Sequence, residues 1–209
     1  MSRYIDAIFY INLDKRVDRK QQIEEELDNF GLKYERFSGL IFPDIHPYYG
    51  CSMSHLSILK TAREKGYKNV LVLEDDFYFN VDKETFEDNM KQLFETQSDF
   101  DVFMLAPAPQ KVEKDVNNPL FYKIIESSCG AGYLVQSKYY DRIITTLESS
   151  FEMFRQTNMF WVYTVDQAWK QLQPSDKWLI TYKFVGKQRR GFSDCGNNIT
   201  ENDWKDTCE

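Results

Sequence analysis

Three adjacent carboxylates, Glu74, Asp75 and Asp76, interrupt the stretch NVLVLEDDFYF (69–79). The four residues before them, VLVL, carry the β-branched and apolar signature of a buried strand. Unbalanced like charges about 4 Å apart repel by roughly 4 kcal/mol at an effective dielectric near 20. Water, basic side chains or a metal ion must offset that repulsion. An all-carboxylate set suits a hard cation, Mn²⁺ or Mg²⁺, better than zinc, and such ions complete their shells with phosphate oxygens and water. A diphosphate-bearing substrate is the natural companion. The plainer alternative is a solvated acidic cluster capping the next segment. If the strand runs through residue 76, Glu74 and Asp76 face one side and Asp75 the other.

The elements that would position these groups alternate. IDAIFYIN (5–12) reads as a buried strand, and residues 18–30 as a helix with Ile23, Leu27 and Phe30 on one face, stopped at Gly31. A second strand is expected over 34–37, a helix over 51–66 ending at Gly66, and the strand over 70–73. Residues 84–97 place Phe86, Met90, Leu93 and Phe94 at helical spacing. Beyond them come a strand over 101–106, a polar loop over 107–119, and strands over 121–125 and 132–136, expected to pair antiparallel. A helix over 138–148, another near 164–172, a strand over 178–182 and a polar tail complete the chain. Strands alternating with helices predict an α/β fold with a mainly parallel sheet, whose ligands bind beyond the carboxyl ends of the strands. That is where Glu74, Asp75 and Asp76 would lie.

A length of 209 residues suits one domain, and 42% hydrophobic content is enough for a sizeable core. The net charge of −7 disfavours nucleic acid as a partner. The basic clusters at 14–20 and 187–190 are surface charge or a phosphate contact. No apolar run approaches the roughly 20 residues of a membrane span. The N-terminus lacks a signal peptide's order of regions, which favours an intracellular protein. Four cysteines without a CxxC pair, and only two histidines, give no zinc-ligand spacing. The thiols read as reduced and structural; a Cys195–Cys208 bridge stays open, as does glycosylation of Asn198 in a secreted protein.

Several motifs occur in a definite order: INLDKRVDR (11–19), GCSMSH (50–55), LVLEDD (71–76), GAGYLVQ (130–136), VDQAW (165–169) and GFSD (191–194). Together they resemble glycosyltransferase family 25, over residues 4 to about 200. Val17 stands where proline is usual. The resemblance implies a GT-A-type α/β fold in one domain, with residues 1–106 as the nucleotide-sugar half and 107–209 as the acceptor side and tail. It implies transfer of a sugar, galactose foremost, from a UDP-sugar to a hydroxyl of a glycan or a collagen-like hydroxylysine. Mn²⁺ or Mg²⁺ would assist, with inversion at the anomeric centre.

On that reading Glu74 and Asp76 ligate the metal, Asp75 supports them, and Asp194 completes the shell. Asn12, Leu13 and Asp14 line the base and ribose pocket, while Arg16 and Arg19 fork onto phosphate or contact uracil. Ser52, Ser54 and His55, at or near a helix start where free backbone N–H groups favour anions, face the donor, or else His55 is a packed or capping residue. Gly130 and Gly132 admit the sugar, or else serve tight strand packing. Asp166 is the base that deprotonates the acceptor hydroxyl, or alternatively a favourable charge at a helix start. Trp161, Tyr163 and Trp169 offer faces for sugar stacking. An inactive scaffold relative and a metal-dependent phosphohydrolase are the competing readings. A glycosidase is disfavoured, because adjacent carboxylates cannot straddle a glycosidic bond.

Overall fold

The computed structural model describes residues 4–200 and 206–208. In chain order its strands and helices are β1 (Ala7–Asn12), α1 (Val17–Asn29), β2 (Glu35–Ser38), α2 (Tyr48–Lys65), β3 (Asn69–Glu74), β4 (Phe77–Phe79), α3 (Lys83–Thr96), β5 (Val102–Met104), β6 (Ala108–Lys114), β7 (Phe121–Ser128), β8 (Gly132–Gln136), α4 (Tyr140–Thr157), α5 (Phe160–Tyr163), α6 (Val165–Ala168), β9 (Trp178–Thr181), β10 (Gly186–Gln188), β11 (Gly191–Ser193) and β12 (Asn198–Thr200). The fold is α/β, a mainly parallel central sheet flanked by helices.

One eight-stranded sheet in the order β2-β1-β3-β8-β5-β9-β7-β6 organises the molecule. β2, β1 and β3 are parallel, β8 enters antiparallel between β3 and β5, and β5 and β9 are again parallel. Only β8 and β7 oppose the common direction. All six residues of β1 are buried, because helices cover both faces of the sheet. Alternation divides the side chains: Phe9, Ile11, Val70 and Val72 join the core beneath α2 and α4. Ile8, Tyr10, Leu71 and Leu73 join the opposite core with Ile23, Leu27, Phe86 and Met90 of α1 and α3. The helix ends follow their local chemistry. Asp82 caps α3 by accepting from the Thr85 amide, and Gly66 closes α2 at φ 70°, a left-handed conformation that glycine adopts cheaply.

Five expectations change. The polar loop over 107–119 contains β6, an edge strand paired with β7 alone, so its outward residues stay polar and hide the strand signal. The strands at 121–128 and 132–136 are not partners: β7 lies between β9 and β6, and β8 between β3 and β5. α4 runs nine residues past 148 because Phe151 and Phe154 continue the buried face of Leu147, until Asn158 stops it in the left-handed region. The helix expected near 164–172 is broken into α6 and a 3-10 turn over Trp169–Gln171. The polar tail also contributes structure, with β10 pairing to β4 and β11 to β12. No helix among the described residues is long and apolar enough to cross a membrane.

Candidate functional site

The register Ile11↔Glu74 sets the carboxyl ends of β1 and β3 side by side. A cavity of about 550 Å³ opens there. Its wall includes Asn12 at the end of β1, Leu13 after it, the loop from Gly39 to Ile45, the start of α2, all three carboxylates, Gly130, Asp166 and the turn at Ser193–Cys195.

β3 ends at Glu74, and Asp75–Asp76 form the turn into β4, so simple strand alternation does not hold. Instead Asp75 and Asp76 share one partner. Arg19 Nη1 donates to Asp75 Oδ1 at 2.9 Å and to Asp76 Oδ2 at 2.8 Å. Asn12 Nδ2 donates to the other Asp75 oxygen at 2.8 Å, and Gln188 Nε2 reaches Asp76 Oδ2 at 3.1 Å. Asp76 is only 5% exposed, and its Oδ1 has no hydrogen-bond partner among the described residues. Burial, then repulsion from Glu74, raises the Asp76 carboxyl to about 7 despite Arg19. Burial raises Asp75 as well, against the pull of Arg19 and Asn12.

Glu74 belongs to a second set. Its Oε1 lies 3.1 Å from His55 Nε2 and 3.6 Å from Cys51 Sγ. Burial works to raise its pKa, but the contacts with His55 and Cys51 prevail and lower it. α2 begins at Tyr48, so Cys51 and His55 sit inside the helix, not at its start. His55 is fully buried, and its Nδ1 lies 2.9 Å from Tyr133 Oη. Ser54 holds the fold: its hydroxyl accepts from the Leu40 amide and donates to the Gly50 carbonyl. Ser52 accepts from the Val165 amide. Gly50 is required there, since a Cβ would stand 2.1 Å from the Leu40 oxygen.

The basic residues are engaged with protein carboxylates. Arg16 pairs with Asp18 and Asp194, and Lys15 with the other Asp194 oxygen, so both oxygens of Asp194 carry cations. Burial opposes these contacts, but they hold Asp194 below the ordinary carboxylate range. Asp14 is exposed beside β2, paired with Arg36 and Ser38, and Arg36 also donates to Asn12. Asn12 thereby links Arg36 to Asp75.

Asp166, at the start of α6, lines the cavity. Its Oδ1 accepts from the Thr164 hydroxyl at 2.9 Å and its Oδ2 from the Cys129 amide at 3.3 Å. Gly130 lines the cavity, whereas Gly132 lies under the Phe77 ring, where a Cβ would meet ring carbons at 2.8 Å. Trp169 is fully buried between Tyr133 and Trp178, and Trp161 is exposed away from the cavity wall. Neither presents a face to the cavity. Cys195 lies beside Cys51, and Cys208 bonds the Thr181 carbonyl, so the two form no bridge.

Sequence reasoning missed the apolar wall formed by Leu40, Phe42, Pro43 and Ile45. The run GLIFP between a strand and a helix, too short and irregular for either, was its only signal. Cys51, Gln188 and Arg36 were also missed, because their roles depend on partners from distant segments.

The profile of glycosyltransferase family 25 (LPS biosynthesis protein) matches residues 46–157, just over half of the 209-residue chain. A Glycosyltransferase 25 family member of Drosophila melanogaster is 29% identical across 36% of this chain and 16% of that protein. The corresponding protein of Drosophila pseudoobscura pseudoobscura is 28% identical across the same shares. The chain thus spans only 16% of the length of these curated relatives. Among solved structures, a glycosyltransferase involved in the glycosylation of the major capsid of PBCV-1 superposes with a TM-score of 0.42 at 12% identity, over 84% of this chain and 91% of that one. A UDP-glucose pyrophosphorylase complexed with UDP-glucose gives 0.47 at 11% identity, over 92% and 94%.

Proposed function

The chain belongs to glycosyltransferase family 25, and from that premise we propose that it moves a sugar, galactose foremost, from a UDP-sugar to a hydroxyl of a glycan or protein acceptor, with inversion. One observation carries the proposal: Asp76, which lines the cavity at the strand ends, is a buried carboxylate with one oxygen that has no hydrogen-bond partner among the described residues. An oxygen-only pair, Asp75 and Asp76, fits a hard divalent cation, and Arg19 pairs with both carboxylates. When bound there, Mn²⁺ or Mg²⁺ would neutralise the diphosphate leaving group as a Lewis acid.

The remaining roles fall to the chain itself. Residues 1–106 supply the donor side and 107–209 the acceptor side. Asn12 orients Asp75 through its amide, and Leu13 with the apolar wall of Leu40 and Phe42 excludes water from the donor's base and ribose. Arg19, once a cation shares its carboxylates, has charge to offer the diphosphate. Lys15, Arg16 and Asp194 hold the β11–β12 turn against the α1 end of the cavity. Asp166 accepts the proton of the acceptor hydroxyl, its carboxylate steadied by Thr164 and the Cys129 amide.

The test is product analysis with UDP-galactose, Mn²⁺ and a panel of hydroxyl acceptors. Release of free UDP with a new glycoside, lost in Asp76→Ala, is the expected result. Release of inorganic phosphate instead would make the chain a phosphohydrolase.

A further inference from the structure

The Cys51, His55 and Glu74 side chains are not explained by diphosphate binding. Cys51 and His55 are four residues apart on α2 and therefore share a helix face. Glu74, at the end of β3, meets both. The three donor atoms Sγ, Nε2 and Oε1 all lie within 4.8 Å of one another, with His55–Glu74 at 3.1 Å and Cys51–Glu74 at 3.6 Å. Around a tetrahedral ion with bonds of about 2.0–2.3 Å, donors stand about 3.3–3.8 Å apart. The two pairs that include Glu74 already stand near that spacing.

Two further features suit an ion. A Cβ on Gly130 would approach Glu74 Oε1 at 3.3 Å and His55 Nε2 at 3.5 Å, so any larger residue there would crowd the donors. On the far side of the ring, His55 Nδ1 has a fixed partner in Tyr133 Oη at 2.9 Å, the outer hydrogen bond that metal-binding imidazoles use to present the opposite nitrogen. Cys195 lies beside Cys51 on the same cavity wall.

We propose that Cys51, His55 and Glu74 form a site for a divalent cation of the Zn²⁺ class, with the fourth position open to the cavity. A thiol–imidazole–carboxylate set selects such a borderline-soft ion over Mn²⁺ or Mg²⁺, whereas Asp75 and Asp76 have the opposite preference. The site is independent of the sugar-transfer reading and does not share Arg19. On binding, the Cys51 thiol releases a proton to solvent. The His55 Nε2 proton that faces Glu74 is also given up to solvent, leaving the neutral imidazole with its proton on Nδ1 towards Tyr133 Oη and Nε2 free for the metal. Each thiol proton released makes affinity fall by roughly tenfold per pH unit on acidification.

The test uses the full chain after chelator dialysis, titrated with Zn²⁺ against a chromophoric chelator and separately with Co²⁺. One Zn²⁺ per chain is expected, with affinity weakened by about tenfold or more in Cys51→Ser and in His55→Gln, and little changed in Asp76→Asn. Wild type loaded with Co²⁺ should show the strong near-ultraviolet absorption of a thiolate–metal bond. A Co²⁺ spectrum without thiolate absorption overturns the proposal whether or not the variants fold. So does zinc affinity that is unchanged in Cys51→Ser or that disappears in Asp76→Asn.

Discussion

Arg19 Nη1 donates to Asp76 Oδ2 at 2.8 Å, while the second oxygen of the same buried carboxylate has no partner among the described residues. The guanidinium therefore neutralises the pair of aspartates without saturating it. A cation can add to this site rather than having to build one. The relationship governs how stability and binding respond to pH, substitution and metal.

The Asp76 carboxyl, raised to about 7 by burial and by Glu74, holds a proton in the folded chain that the unfolded chain releases near its ordinary value of 3.8. Stability from this group is therefore greatest below pH 4 and is lost as pH rises towards 7. Asp76→Asn removes that loss. In chelator, the variant should match wild type near pH 4 and exceed it by a few kcal/mol at pH 8, at about 1.4 kcal/mol per pKa unit. Urea midpoints across this range measure it. Mn²⁺ affinity should rise over the same interval and level off above pH 7.

Arg19→Met leaves Asp75 and Asp76 buried without their cation. The loss should be about 3–5 kcal/mol, the usual result of breaking one side of a buried pair. Saturating Mn²⁺ should restore much of it. Thermal unfolding with and without the metal checks both statements.

If Asp166 removes the acceptor proton, Asp166→Asn should lower turnover by roughly 10²–10⁴-fold. Donor affinity should stay near wild type, because the carboxylate is assigned to the acceptor. Steady-state rates and donor titration on the same preparation separate these effects. A variant that loses donor binding in step with rate would place Asp166 in donor recognition instead.

Gly132→Ala tests packing apart from chemistry. The new methyl would meet Phe77 at 2.8 Å inside a fully buried core, and overpacking of this kind costs about 1–3 kcal/mol. The urea midpoint should fall while the bound donor stoichiometry is kept.

Much of the framework was readable because its signals are local. VLVL before Glu74 marks a buried strand, Gly66 a helix end, and Phe86, Met90 and Leu93 an amphipathic face. β6 was missed because an edge strand faces solvent and carries no buried alternation. The carboxylates were legible as a group but not as two sets. Their division depends on β3 ending at Glu74, on Arg19 arriving from α1, and on Cys51 and His55 arriving from α2. Trp169 shows the same limit: on a polar surface it would be a sugar platform, yet the break after α6 turns it into the core.

Calorimetry of UDP-galactose binding, with and without Mn²⁺, on wild type and on Asp76→Ala tests the central claim most directly. The account predicts donor binding that requires the metal and disappears with the substitution. Metal-independent binding, or binding that survives in Asp76→Ala, would contradict it.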